Sequence, residues 1–253
     1  MQAERITSAQ NPLIRHIRKL QTSRAYREDC GEFVCDGRKL LTEALQWYPR
    51  LRTVLHTPGF DCPDLPAGTR VVEVPESLME GLSSMKTPQG VVFTCALPEA
   101  GSPALRPGML ILDRIQDPGN LGTILRTADA FDVPVLLTNG CADPFSEKTV
   151  RASMGAVFRT LPARMELPEL LRRCAEEDLP LAATALSPTA ADLRQTDLRN
   201  WLVVIGSEGQ GICPALLEAS RRQIIIPMQP RCESLNAGVA AAIVMWQMMY
   251  ENH

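Results

Sequence analysis

The chain lacks the features that would place it in a membrane, around a metal or in an oxidising compartment. It opens on the polar stretch MQAERITSAQ, so no secretory leader is expected. Its longest apolar run, Ala237 to Trp246, is too short to cross a bilayer, which takes about 20 residues. None of the eight cysteines forms a CxxC pair or sits near histidine at zinc-finger spacing, so reduced, mostly buried thiols in a cytoplasmic protein are expected. The three histidines, His16, His56 and His253, are scattered, and no metal site is assigned. Internal repeats and low-complexity tracts are absent. A net charge of −3 rules out a general polycation, so any nucleic-acid contact must come from a local basic surface.

What is present suits a soluble α/β protein of one large or two ordinary domains: 253 residues, 45% apolar and 22% charged. The first third alternates helix and strand. Leu13, Ile14, Ile17 and Leu20 recur at helical spacing within 8–21, with Ser8 or Thr7 as the candidate cap. Strands are expected at 32–35, 51–56, 70–74 and 91–96, and helices at 38–47 and 76–82. The segment from Leu97 to Gly108 holds three prolines and two glycines. It divides the chain into a domain at 1–97, a linker at 98–107 and a domain at 108–253. In the second part, strands at 109–113, 135–137, 181–185, 201–205 and 223–226 are short and apolar without alternation, with helices at 121–130 and 167–177. Both faces of these strands must be buried, which implies a parallel sheet. Ligands of such sheets sit beyond the carboxyl ends of the strands.

Three post-strand segments carry the candidate chemistry. The first, Asp117 to Ala128, reads DPGNLGTILRTA, with Asn120 placed to cap a helix and Arg126 further along it. The second, Gly206 to Ile212, is a GxxGxG turn without the order of a dinucleotide fingerprint or a following lysine. Its Glu208 disfavours a phosphate and suits a hydroxyl, an amine or a cation. The third, Ile226 to Asn236, is stiffened by two prolines and leads into an apolar helix that Ser234 or Asn236 can cap. Any one of these alone is as well explained by an ordinary cap or turn.

Together they resemble the SpoU (TrmH) family of RNA ribose methyltransferases, within the SPOUT superfamily. The matching residues are Asn120, Gly122 and Arg126-Thr127-Ala128, then Gly206, Glu208, Gly209 and Gly211, then Ile226-Pro227-Met228 and Ser234-Leu235-Asn236. The sequence departs after Asn236, where Ala237-Gly238-Val239-Ala240 replaces the usual Val-Ser-Val-Ala. The resemblance covers nearly all of 108–250. It extends through Val150 to Phe158 and, more loosely, to an N-terminal substrate-binding domain through Ile6-Thr7-Ser8, Asn11-Pro12, Arg27, Gly31, Phe33, Gly37 and Glu43.

The resemblance implies a C-terminal parallel-sheet SPOUT domain with a deep trefoil knot, preceded by a smaller α/β domain. It implies S-adenosylmethionine as cofactor, held at Gly206, Ile226, Met228 and Leu235 with Thr184. The implied reaction is methyl transfer to a ribose 2′-hydroxyl, most plausibly of ribosomal RNA. Arg126 is the implied catalytic centre, oriented with the ribose by Asn120, Glu208, Ser234 and Asn236. Arginine keeps its proton, so Arg126 is better suited to hold the adjacent phosphate and lower the hydroxyl pKa than to act as a free base. Competing classes are a non-enzymatic RNA-binding or ribosome-assembly protein, and a relative that methylates a base or a tRNA ribose.

The expected RNA surface is the basic face of the first helix, at Arg15, Arg18 and Lys19. Residues 1–30 hold six Lys/Arg against three acids. The segment 236–250 is apolar nearly all round, which predicts a homodimer through the catalytic domain, with Arg151 as the residue reaching the partner's site.

Overall fold

The structure, a computed structural model, describes residues 4–99, 101, 103–232 and 234–249. The chain forms two compact units: Met1–Ala100 with Phe145–Arg159, and Gly101–Pro144 with Thr160–His253.

The first unit begins with β1 (Glu4–Arg5), α1 (Pro12–Thr22), α2 (Arg24–Cys30) and β2 (Glu32–Asp36). It continues with α3 (Arg38–Trp47), β3 (Leu51–His56), β4 (Arg70–Glu73), α4 (Glu76–Glu80) and β5 (Val91–Ala96). Helix α1 starts later than the spacing suggested. Asn11 rather than Ser8 caps it, accepting from the Leu13 N–H at 2.9 Å. Pro12 supplies a first helical residue with a preset φ and no N–H to satisfy. Helix α2, absent from the sequence reading, is too short to show a period. The Ser23 side chain opens it and Gly31, at φ +64°, closes it.

The five strands lie in the order β1-β4-β3-β5-β2. The β1–β4 and β4–β3 pairings are parallel, and the two made by β5 are antiparallel. Both faces are covered: Phe33, Cys35 and Phe93 pack into one apolar cluster, while Val34, Val92 and the buried residues of α1 pack into another.

The second unit opens with β6 (Leu110–Asp113), α5 (Pro118–Ala130) and β7 (Val135–Leu137). The stretch that follows corrects the expected boundary. Residues 145–159, with α6 (Glu147–Ala152), belong to the first unit rather than to a continuous domain at 108–253. The cause is aromatic and apolar packing. Phe145 and Phe158 lie 5.0 and 6.3 Å from the Phe33 ring, and Val150 and Val157 are buried in the same cluster.

The second unit then resumes with β8 (Ala163–Arg164), α7 (Leu167–Glu176), β9 (Leu181–Thr184) and β10 (Ala191–Asp192). It ends with β11 (Leu202–Gly206), α8 (Pro214–Ala219), β12 (Arg222–Ile225) and α9 (Ala237–Met249). Its seven strands, in the order β10-β12-β9-β11-β6-β7-β8, pair in parallel throughout. Alternate residues of each central strand serve different clusters: Leu110, Leu112, Val203 and Ile205 pack with α5 and α9, whereas Ile111, Leu202 and Val204 pack with α7 and α8. Full burial of each such side chain stabilises by about 1.5–3 kcal/mol, which explains their unbroken apolar runs. Part of the expected linker is docked rather than free. Leu105 is buried in one of these clusters, and Arg173 donates to the Pro103 carbonyl at 2.7 Å. No helix among the described residues is long and apolar enough to cross a membrane.

Candidate active site

A parallel sheet aims every strand's carboxyl end at one edge, and the three post-strand segments meet there. The segments after β9, β11 and β12 enclose a cavity of about 310 Å³, within the ~300–1,000 Å³ of small-molecule sites. The five residues expected to hold a cofactor, Thr184, Gly206, Ile226, Met228 and Leu235, all line it, as do Glu208 and Ser234.

The Gly-rich segment is held as a tight loop. Ser207 and Gly211 exchange backbone hydrogen bonds at 2.9 and 3.1 Å. This folds Gly211 onto Gly206 so closely that a Cβ on Gly206 would sit 2.2 Å from the Gly211 carbonyl carbon. Glycine at 206 is therefore a steric requirement of the loop itself.

Asn120 occupies a different place from the one expected. Asp117 caps α5, accepting from the Asn120 N–H at 2.8 Å, and Pro118 provides the first turn. With the cap supplied by Asp117, the Asn120 side chain is free to link the other two segments. Its amide N–H donates to the Glu208 carboxylate, and its carbonyl accepts from the Asn236 amide at 2.9 Å. The Asn236 carbonyl in turn caps α9, accepting from the N–H groups of Gly238 at 2.9 Å and Val239 at 3.3 Å. The donors all run one way, from helix N–H to Asn236 to Asn120 to Glu208, and this fixes the orientation of both amides. One residue from each segment thus forms a continuous chain.

Ser234 is exposed at the cavity wall and is not the α9 cap; its neighbour Glu233 lies outside the described residues. Arg126 is exposed on α5, outside the cavity lining, and has no hydrogen-bond or ion-pair partner among the described residues. Gly238 is buried against α5, where an added Cβ would lie 3.2 Å from Thr123. The small residue therefore serves close packing within the chain. Tyr250, the expected end of this helix, lies outside the described residues.

Sequence reasoning missed Asp113, the last residue of β6, and Arg114, which follows it. Buried Asp113 accepts from the Cys213 N–H at 2.7 Å and the Thr138 hydroxyl at 3.0 Å. Arg114 adopts φ +57° and donates to the Gln210 side chain at 2.9 Å, with the Gly211 carbonyl 3.4 Å away. Together they hold the far end of the Gly-rich loop. The one available signal was an Asp-Arg pair at the carboxyl end of an apolar strand.

The cavity suits an adenosine-bearing cofactor. Its walls are mainly aliphatic, through Leu186, Ile205, Ile224 and Ile226. The backbone N–H groups of Ile226, Met228 and Leu235 bond to no other group among the described residues. Apolar walls with a few unpaired backbone donors match a purine ring and its sugar. The Thr184 hydroxyl already donates to the Val204 carbonyl at 3.0 Å, so toward a ligand it can act only as acceptor.

The expected RNA residues lie in the first unit. Arg15, Arg18 and Lys19 are exposed on α1, with the Lys19 ammonium 5.3 Å from the Tyr26 ring centre. Arg151 is exposed on α6 and donates to the Ser84 hydroxyl at 2.6 Å. All eight cysteines are free, and burial pushes the Cys174 thiol up to about 11. No group of three or more His, Cys, Asp or Glu among the described residues is arranged to hold a metal.

A parallel α/β sheet with a cofactor-sized cavity over its strand ends, and an Asn–Asn–Glu chain that ends on its lining residue Glu208, defines a nucleotide-cofactor enzyme of the kind that the sequence motifs resemble. The chain belongs to the SpoU rRNA Methylase family, whose model matches residues 107–246; residues 11–92 match an MRM3-like substrate binding domain. It is accordingly an RNA methyltransferase that uses S-adenosylmethionine. It is 32% identical to the 23S rRNA (guanosine(2553)-2'-O)-methyltransferase RlmP of Bacillus subtilis, over 97% of this chain and 99% of that one. It is 28% identical to the human mitochondrial rRNA methyltransferase 3, over 89% of this chain and 69% of that one. The crystal structure of an AdoMet-bound rRNA methyltransferase from Sinorhizobium meliloti superposes with a TM-score of 0.85 at 29% identity, over 98% of both chains.

Proposed function

We propose that the protein transfers the methyl group of S-adenosylmethionine to a ribose 2′-hydroxyl of ribosomal RNA. The observation that carries this is the meeting of the three segments: Asn120 bonds to both Asn236 and Glu208, and Glu208 lines one cavity with aliphatic walls. The ribosomal substrate is supported by what the Bacillus subtilis relative's name says it modifies. S-adenosylmethionine, when bound, supplies an electrophilic methyl group on a sulfonium. The chain's own residues bind the adenosine part, shield the reaction from water and prepare the hydroxyl. Ile226, Met228 and Leu235 offer backbone donors, and Thr184 and Gly206 complete the wall. Arg126, which has no carboxylate partner among the described residues, holds the phosphate next to the target ribose and lowers the hydroxyl pKa electrostatically. Asn120, Glu208, Ser234 and Asn236 orient the ribose.

The test is methylation of ribosomal RNA from cells lacking this gene, followed by mass spectrometry of the digested nucleosides. A 2′-O-methylnucleoside is the expected product; a methylated base overturns the assignment.

Two further elements belong to the same proposal. The cytoplasmic location is supported by the ribosomal substrate, and the trefoil knot by the family's fold. The chain also acts as a homodimer through α9. That helix buries Ala241, Val244 and Met245 in its own unit, yet leaves Val239, Ile243, Trp246 and Met249 38–58% exposed along one stripe. A second copy covers that stripe by two-fold symmetry, with Arg151 reaching toward the partner's site. Analytical ultracentrifugation at micromolar concentration checks this: a monomer that still methylates RNA refutes it.

A further inference from the structure

The first unit carries a second cavity, of about 460 Å³, between the turn after β3, helix α4 and the segment that leads into β5. Two glycines constrain the backbone here, Gly90 in the cavity lining and Gly37 next to the lining residue Arg38. Gly37 has φ +110° and an added Cβ there would lie 3.0 Å from the Gln89 side-chain oxygen; Gly90 has φ +77° and its Cβ would lie 2.7 Å from the Thr57 hydroxyl. Gln89 accepts from the Arg38 N–H at 2.8 Å, which ties the loop to the start of α3.

On one wall the Arg38 guanidinium lies over the Phe60 ring, 4.8 Å from its centre. Glu76 and Glu80 also line the cavity, yet Arg38 pairs with neither, and neither carboxylate has a partner among the described residues. A flat cation braced on an aromatic ring stands apart from two unused acceptors, with open space among them. The exposed cations Lys39 and Lys86 flank this region and also lack carboxylate partners among the described residues. Arg18 of α1 reaches the end of α4, its guanidinium 3.5 Å from where a Cβ of Gly81 would stand.

We propose that this cavity takes an unstacked nucleobase bearing an exocyclic amino group, from a single-stranded part of the substrate RNA. The base stacks on the planar Arg38 guanidinium, and its amino group donates to Glu76 or Glu80. Lys39, Lys86 and Arg18 meet the flanking phosphates. The carboxylates would repel a phosphate inside the cavity, so the base enters and the backbone stays outside. The inference rests on the RNA methyltransferase reading, to which it adds a base-selecting subsite.

The test measures fluorescence anisotropy of the full chain with labelled single-stranded 12-mers of adenylate, cytidylate and uridylate. Adenylate and cytidylate are expected to bind more tightly than uridylate, which has no amino group. Arg38→Ala is expected to weaken adenylate binding about tenfold, in the range of one lost stacking contact. Arg38→Lys, which keeps the charge but not the plane, is expected to lose nearly as much. The double variant Glu76→Gln, Glu80→Gln is expected to erase the preference over uridylate. Calorimetric titration with S-adenosylmethionine on the same variants is expected to match the parent chain.

Equal binding of all three oligomers by the parent chain overturns the proposal, as does parent-like binding by Arg38→Lys. Displacement of the oligomer by micromolar adenosine monophosphate would show a free nucleotide as the occupant and overturn the RNA assignment. The proposed function fails separately: oligomer discrimination with no methyl transfer to ribosomal RNA would sink that reading and leave the subsite standing.

Discussion

The two units use similar amounts of strand and helix but distribute their chemistry differently. In the second unit every strand pairing is parallel, so the segments after β9, β11 and β12 leave the sheet on one edge and close over one cavity. In the first unit β5 runs antiparallel to both of its neighbours, so strand ends and starts share each edge. Its polar residues are correspondingly spread: α1 carries one basic face, the Arg38 cavity lies beside α4, and a carboxylate pair is buried near β2 and α6. A parallel sheet concentrates loops into a reaction site, and a mixed sheet offers extended surfaces better suited to gripping a polymer.

The sharpest way to break this comparison is at Arg126. Arg126→Lys is expected to lower the methylation rate by about 100-fold or more, the scale of losing one preorganised donor at a developing oxyanion. Calorimetry should show unchanged cofactor affinity. A variant that methylates like the parent chain would make Arg126 an ordinary surface residue and leave α5 without a catalytic role.

Asn236 separates structure from chemistry inside the second unit. Asn236→Asp keeps the oxygen that caps α9 but removes the N–H that Asn120 accepts. Methylation should fall about tenfold, as for one lost hydrogen bond, while the thermal midpoint stays near the parent value. Asn236→Ala removes the cap as well and should also cost about 1 kcal/mol of stability, read from denaturant unfolding.

Arg114 tests whether the Gly-rich loop needs outside support. Arg114→Ala loses the bond to Gln210 and is expected to raise the KM for S-adenosylmethionine about fivefold with little change in kcat. Gln210→Ala should do the same more weakly. An equal fall in kcat would mean that the loop acts on the reacting groups and not only on cofactor binding.

The smallest effect is expected in the first unit and should touch stability alone. Burial raises the carboxyls of Asp36 and Glu147 above their ordinary values of 3.8 and 4.5, and one oxygen of each has no hydrogen-bond partner. The native state therefore holds these protons to higher pH than the unfolded chain does. Their contribution is fully present below the ordinary carboxylate values and is lost as pH rises through the raised ones. Thermal unfolding followed from pH 4 to 7 should show the midpoint falling more steeply in the parent than in Asp36→Asn. Parallel profiles would refute the assignment.

Much of this architecture was legible in particular stretches. The strands Leu51–His56, Val91–Ala96 and Val135–Leu137 and the helix Arg38–Trp47 coincide with their sequence readings, because apolar runs and helical spacing are local signals. Helix α2 was not legible, since its seven residues hold no period. Asn120 was misread as a cap because Asn suits that role, but Asp117 followed by Pro118 fills it better.

The sequence by itself determined the parallel second sheet, through short apolar strands separated by helices. By resemblance it also determined the family and the residue types of the site. Tertiary structure alone decided that Phe145–Arg159 leaves its neighbours in the chain to pack with Phe33, and that Asn120, Glu208 and Asn236 join in one directional chain. It alone set Arg38 upon Phe60 and Arg114 upon the Gly-rich loop. The physical reason is common to all four. Periodicity and capping act within a few residues, whereas these contacts join positions from 22 to 125 residues apart, and their partners are chosen by which faces the folded sheets bring together.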